Sequence, residues 1–311
     1  MIPEADKKNS TALIVEGGGM KGAFASGVIA SMCKYYPAKN FDIVVGVSAG
    51  TCAAAYYVTE EENTNLFQHI LDIWKYELDG SKFISYWNML KGKTIIDQNY
   101  LIDFLFSKKY RIPNEKLDEP GKTPLYIVVS NLHNMVPDYI KATSDNLISL
   151  LKAATSLPIG TKGRYLFNQY LYSDGGALDP IPIEAVIKAG YKNITVVLNH
   201  SRYQLCKPIH KFVSRLSFPW NPGFAKLVSR EHHQRYNRAK EIIINPPSDI
   251  NLKILDPEYK NPLTITTTNR RMLTNVINYG WQIGYRHFGK IKSSKDSVKR
   301  KIVSSLPGWM K

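Results

Sequence analysis

Apolar residues follow two different rhythms over the first sixty positions. Residues 11–16 (T-A-L-I-V-E) form a short, nearly continuous apolar run stopped by three glycines, the pattern of a buried strand. Behind it Met20, Ala23, Phe24, Gly27, Val28, Ser31, Met32 and Tyr35 recur at helical spacing. They give one small or apolar face to a helix that ends before Pro37. Residues 41–46 (F-D-I-V-V-G) predict the next strand, and a helix follows over 49–59. Strand, helix and strand in about 35 residues make a βαβ unit, with parallel strands and a right-handed crossover. Both strands then finish at the same edge of the sheet.

The rest of the chain continues the alternation less sharply. Residues 63–107 place apolar positions in helical fashion, interrupted near Gly80 and again at 91–93. A strand is predicted over 125–130, a helix over 145–154 that stops before Pro158, and a short strand over 169–173. A helix over 183–189 closed by Gly190 and a strong strand over 193–199 follow. Beyond Ser201 the text turns basic and contains Pro and Trp. It predicts a helix near 224–240, a strand over 241–245 and a last helix over 269–287. These elements predict one α/β domain, a mostly parallel sheet flanked by helices, spanning 11–288. A flexible stretch (1–10) precedes it, 202–240 forms a basic, partly helical cap-like segment, and 289–311 is a basic tail.

Composition changes the picture in one respect. The net charge is +15, and it is segregated. Residues 1–201 hold 20 Lys+Arg against 20 Asp+Glu, and 241–285 hold 4 of each. Residues 202–240 hold 9 basic against 1 acidic, and 286–311 hold 8 against 1. Such segregation favours an anionic partner surface, and the aromatic residues Phe212, Phe218, Trp220 and Phe224 among the charges favour a membrane interface over nucleic acid. The tail ends on an apolar tip, Leu306, Pro307, Gly308, Trp309 and Met310. No apolar run is long enough to span a bilayer, and the polar N-terminus lacks the apolar centre of a secretory signal. The three cysteines, Cys33, Cys52 and Cys206, have no metal-ligand spacing, which predicts reduced thiols in a cytoplasmic protein that is peripheral at the membrane.

Gly46-Val47-Ser48-Ala49-Gly50 is a G-x-S-x-G sequence at a strand-to-helix junction. A sharp turn there lifts a serine hydroxyl out of the sheet edge, which a nucleophile requires, although the same turn could use Ser48 only as a helix cap. Gly17-Gly18-Gly19-Met20-Lys21-Gly22 also matches a dinucleotide-binding G-x-G-x-x-G. That reading wants an acid at the end of the second strand, whereas Asp42 stands at its start. The alternative is a set of free amides at a helix N-terminus, aimed at the negative charge of an attacked ester carbonyl. For the base, the seven histidines sit in no motif, while Asp174 follows a strand and precedes two glycines, Gly175 and Gly176. An Asp–Gly pair also serves simply to organise a turn. His200, after a strand, is the candidate for a third member of a Ser48–Asp174–His200 triad.

Taken together, E-G-G-G-M-K-G at 16–22, G-V-S-A-G at 46–50, A-T-S-L-P at 154–158 and D-G-G at 174–176 resemble the bacterial patatin-like phospholipases. The similarity is close over 11–200, looser over 201–288 and absent from the tail. Lys21 takes a position where arginine is commoner, and Thr155 one where serine or alanine is frequent. The resemblance implies a three-layer α/β/α fold and a serine lipid acyl hydrolase using no cofactor. It implies Ser48 as nucleophile, Asp174 as base, no histidine, and oxyanion donors in the backbone of Gly17, Gly18 and Gly19. Substrates would be phospholipids or other acyl-ester lipids. No calcium-loop spacing of Asp and Glu occurs, so the expected chemistry is metal-independent. The competing expectations are a Ser-His-Asp esterase or acyltransferase and a non-catalytic binder of anionic membranes.

Overall fold

The computed structural model describes residues 1–6, 9–61 and 64–289 of the chain. The strands are β1 (Thr11–Val15), β2 (Ile43–Val47), β3 (Leu125–Asn131), β4 (Pro137–Lys141), β5 (Tyr165–Phe167), β6 (Tyr170–Asp174), β7 (Asn193–Val197) and β8 (Asn251–Leu255). They join in one sheet in the order β5-β6-β3-β2-β1-β7-β8, with β4 paired to β3. The five strands β8, β7, β1, β2 and β3 are mutually parallel, and β4, β5 and β6 enter antiparallel. The helices are α1 (Ala23–Tyr35), α2 (Ala49–Thr59), α3 (Leu66–Asp72), α4 (Trp87–Leu90), α5 (Leu147–Ala154), α6 (Ile183–Lys188), α7 (Lys211–Ser217), α8 (Pro222–Ile244) and α9 (Arg270–Gly284).

Strand residues alternate between the two faces, and the sheet's two cores follow that period. From β1, Leu13 and Val15 face one core while Ala12 and Ile14 face the other. β3 does the same, sending Leu125, Ile127 and Val129 to the first core and Val128 to the second. The first core is filled by α1, α2, α5 and α9 and by the segment between α2 and β3; the second takes Ile183 and Val186 of α6 and Tyr236, Ala239 and Ile243 of α8. Helices on both faces of a sheet whose central strands β1, β2, β3 and β7 are almost wholly buried are the three-layer α/β/α arrangement expected from the βαβ start.

Two departures from the sequence reading have plain causes. Residues 241–245 continue a helix instead of forming a strand, because α8 runs through Ile244. Tyr236, Ala239 and Ile243 keep the helical spacing and bury against β1 and β7, and this packing overrides the strand preference of three consecutive isoleucines. The strand lies later, at β8, where Asn251–Leu255 pairs in parallel with β7. The segment 202–240 is therefore not a detached cap. Phe218, just after α7, and the first turns of α8 form a small cluster with Leu132 and Leu178, and the second half of α8 belongs to the second core. At the other end, Ile2 and Ala5 pack against the second core and the Ala5 N–H donates to Ala189 O (2.8 Å). Residues 290–311, most of the basic tail, lie outside the described residues.

Candidate active site

Parallel pairing of β1 with β2 brings the glycine run and the serine to one edge of the sheet. Ser48 follows β2 directly, with φ 50° and ψ −128°, a positive φ that non-glycine residues rarely adopt. Strain of this kind persists where the surroundings enforce it. Here α2 begins at the next residue and the Thr51 N–H donates to Ser48 O (3.0 Å), closing the turn. Gly17 has to be glycine, since a Cβ there would stand 2.7 Å from Ser48 Cβ and 2.9 Å from Val47 O. Gly46 is the last residue but one of β2 and Gly50 the second of α2, on either side of the serine.

Strand register then sets the position of the aspartate. On β3, Val128 is paired with Val47 and the next residue, Val129, is paired with Asp174. One step along β3 thus separates the partner of the serine's strand from the partner of Asp174. Ser48 Oγ donates to Asp174 Oδ2 at 2.6 Å, and the Gly176 N–H donates to Oδ1 at 2.8 Å. The Asp174 backbone is held in turn by its N–H on Ser156 O (3.2 Å) and by Ser130 Oγ on its carbonyl (2.8 Å). Ser156 belongs to the A-T-S-L-P segment, which explains why that motif accompanies the aspartate. Both side chains of the pair are buried, and burial pushes the Asp174 carboxyl up to about 6 against the two hydrogen bonds that lower it.

Ser48 of the pair lines an apolar pocket. Ser48, Ala49 and Cys52 line one wall, Trp74, Leu101 and Phe106 line others, and Thr155 and Leu157 close it beside Asp174's supports. Met20 and Gly19 border it at the glycine run. Burial pushes the Cys52 thiol up to about 12, so this neighbour of Ser48 stays a protonated thiol.

The glycine run leaves backbone amides without a backbone-carbonyl partner among the described residues. Gly19 has φ 56°, and a Cβ there would lie 2.8 Å from Ile265 O. The Met20 N–H is taken by Ile265 O (3.3 Å) and the Lys21 N–H by Gly18 O (3.2 Å). Among the described residues the N–H groups of Gly17, Gly18 and Gly19 donate to no backbone carbonyl. Met20 and Lys21 are therefore neighbours of the free amides, with their own N–H groups occupied. Gly22 leads into α1, where a Cβ would stand 2.9 Å from Ala49 Cβ.

Behind the glycine run lies a polar network that sequence motifs do not reveal. Glu16 Oε2 accepts the Asn199 N–H (2.5 Å), and Oε1 accepts from Tyr236 Oη (3.1 Å) and faces His200 Nδ1 at 3.3 Å. His200 Nε2 meets Lys21 Nζ at 2.9 Å. Asn199 Nδ2 donates to the carbonyls of Glu16 and Gly17 (2.9 Å each), while its Oδ1 accepts the Ala25 N–H. Lys240, fully buried, donates to the carbonyls of His200 and Ser201. Both ring nitrogens of His200 are thus engaged away from the serine, and among the described residues no histidine is bonded to Ser48 or Asp174. His232, from α8, lies against the backbone of Gly176 and Ala177, and burial pushes its pKa down. No group of three or more His, Cys, Asp or Glu among the described residues is placed to hold a metal ion.

The family model of the patatin-like phospholipases matches residues 13–187, more than half of the chain, and takes in the glycine run, Ser48 and Asp174. The chain belongs to the patatin-like phospholipase family. A curated relative, the uncharacterized protein YjjU of Escherichia coli (strain K12), is 23% identical over 252 residues. That alignment covers 78% of this chain and 66% of YjjU, so the chain spans just under two thirds of its relative's length. Among solved structures, VipD from Legionella pneumophila is similar at 14% identity with a TM-score of 0.42, over 92% of this chain and 68% of VipD. No helix among the described residues is long and apolar enough to cross a membrane.

Proposed function

We propose that this patatin-like protein is a serine lipid acyl hydrolase of the phospholipase A or lysophospholipase type, with Ser48 as nucleophile and Asp174 as its base. The observation that carries the reading is the 2.6 Å hydrogen bond from Ser48 Oγ to Asp174, with Ser48 lining a pocket whose other walls are largely apolar, as an acyl chain requires. Ser48 Oγ attacks the ester carbonyl as its proton passes to Asp174 Oδ2. The carbonyl oxygen takes the negative charge and is met by the free amides of Gly17, Gly18 and Gly19. Asp174 returns the proton to the leaving alcohol, and water, deprotonated by the same carboxylate, releases the fatty acid. Each well-placed oxyanion donor lowers such a barrier by about 3 kcal/mol. Burial helps the aspartate directly: a carboxylate raised to about 6 is a stronger base than an exposed one and remains ionised at neutral pH.

Incubating the protein with a panel of phospholipids and neutral lipids and identifying products by mass spectrometry tests the reading. Free fatty acid with the matching lysolipid or alcohol is the expected product, and intact lipids throughout would refute hydrolysis. The same reading places the protein at an anionic membrane, where its substrate is. The structure narrows which charges are free for this. Within 202–240, Arg202 pairs with Asp256, Arg235 with Glu231 and Arg238 with Glu184, and Lys240 is buried. Lys207, Lys211, Arg215, Lys226 and Arg230 pair with no acid among the described residues.

A further inference from the structure

The segment between the π-helical turn Ile73–Glu77 and the next, Asn99–Lys109, has two unlike surfaces. Its inner residues Phe83, Ile84 and Ile96 are buried and form a wall of the pocket that reaches Ser48. Backbone bonds clamp it as a loop closed on itself: Ser85 N–H to Ile95 O (2.8 Å) and Asp97 N–H to Phe83 O (2.9 Å), with an antiparallel bridge between Ile84 and Ile96. Its outer residues are apolar as well. Tyr86, Trp87 and Leu90 are 59%, 72% and 79% exposed, and Trp87 and Leu90, three apart in α4, share a helix face.

Around these side chains lie Lys82, Lys91 and Lys93, all exposed, and residues 80–96 contain no Asp or Glu. None of the three lysines pairs with an acid among the described residues. The pocket meets solvent beside this loop, because Ile265 both lines the pocket and is 55% exposed. Tyr86 Oη on Thr266 Oγ1 (2.9 Å) ties the loop to the Ile265 segment. Ile159, also exposed, continues the apolar rim next to Gly160, whose carbonyl accepts the Ile96 N–H (2.7 Å).

We propose that residues 82–93 are the lip by which the protein docks on an anionic lipid bilayer, with Trp87 and Leu90 entering the head-group layer and Lys82, Lys91 and Lys93 meeting lipid phosphates. Exposed aromatic and aliphatic side chains ringed by cations match an anionic interface, apolar tip inward and charge at the surface. Position adds to chemistry. Docked here, the pocket mouth faces the bilayer and an acyl chain passes from lipid to the apolar wall without crossing water. The inference rests on the lipid hydrolase reading and places the membrane contact at the pocket mouth.

The test uses full-length protein, vesicles of phosphatidylglycerol and phosphatidylcholine, and p-nitrophenyl butyrate as a soluble ester. Joint Trp87→Ser and Leu90→Ser should lower vesicle partitioning at least tenfold and slow hydrolysis of vesicle phospholipid in step, leaving the soluble ester within twofold of wild type. Joint Lys82→Gln, Lys91→Gln and Lys93→Gln should weaken binding to phosphatidylglycerol vesicles and flatten its salt dependence. Joint Lys207→Gln, Lys211→Gln and Arg215→Gln should lower binding by less than either lip variant does. Wild-type partitioning by both lip variants, or loss of binding only in the α7 variant, would overturn the lip. Because partitioning is read without turnover, failure of wild type to cleave the soluble ester strikes the hydrolase reading alone.

Discussion

Glu16 and Asp174 stand at strand ends beside glycine turns, both out of water, and the protein treats them in opposite ways. Burial drives both carboxyls up, but their surroundings differ. Glu16 is met by His200, by the buried Lys240 and by the Asn199 amide, which together outweigh burial and hold it below its usual value. Asp174 is met only by a hydroxyl and one amide, so burial prevails and its pKa rises to about 6. Charged partners turn a buried acid into a structural anion, whereas neutral partners leave a carboxylate of raised basicity, suited to the proposed role of base. The glycine run lies between the two, held from behind by the Glu16 network and open in front toward the serine.

The largest effect that would sharpen this contrast is on turnover. Asp174→Asn keeps the size of the side chain and an oxygen to accept the Gly176 N–H, and removes the proposed base that accepts the Ser48 hydroxyl. Ester hydrolysis should fall about 10⁴-fold, roughly 5.5 kcal/mol of barrier, in folded protein. Near-wild-type rates would mean that another group takes the proton. Glu16→Gln should act on stability instead. It takes from the buried Lys240 the more strongly interacting of its two acids and leaves only Asp256, and unfolding in urea should show a loss of about 3 kcal/mol. A small change would show that Glu16 is not what balances that lysine.

The two acids also predict opposite pH trends in stability. The folded pKa of Asp174, about 6, exceeds its ordinary value of 3.8, so the folded state holds this proton more tightly than the unfolded one. Its effect on stability is nil below about 4 and becomes a cost of roughly 3 kcal/mol as pH rises through 6. Asp174→Asn should therefore be more stable than wild type at pH 7 by up to that amount, with the difference vanishing at pH 4. Glu16 runs the other way: its lowered pKa adds stability above its unfolded value of 4.5, which is lost as pH falls through the folded one. Activity should decline below about pH 6 as Asp174 takes up its proton. The smallest effect belongs to His200, which supports Lys21 and the glycine run. His200→Ala should slow the chemical step by less than tenfold, under about 1.4 kcal/mol. A loss of several orders of magnitude would favour a histidine base.

These outcomes bear on how much of the molecule is legible in its sequence. The front of the site is local. G-x-S-x-G and D-G-G each occupy a few consecutive residues because a tight turn has to be built from neighbours, and the strands before them bury in a simple period. The back of the site is not local. Glu16 meets His200 and Tyr236 across 184 and 220 positions, and no spacing rule announces such a contact. The same division explains the strand at 241–245 that is helix: isoleucine-rich text suits either structure, and only the packing of Tyr236, Ala239 and Ile243 decides it. β5 and β6 escaped notice as a pair because their two-residue turn places Asn168 and Gln169 at positive φ, where glutamine is an uncommon choice. The lip at 82–93 reads as an interrupted helix, since its meaning depends on which residues face the pocket.

Labelling with a fluorophosphonate probe, read by intact mass and peptide mapping, tests the central claim most directly. A serine activated by Asp174 without a histidine should give one adduct, on Ser48. Labelling should vanish in Ser48→Ala, fall severely in Asp174→Asn and persist in His200→Ala. An adduct on another residue, or loss of labelling in His200→Ala with the fold intact, would contradict the Ser48–Asp174 pair.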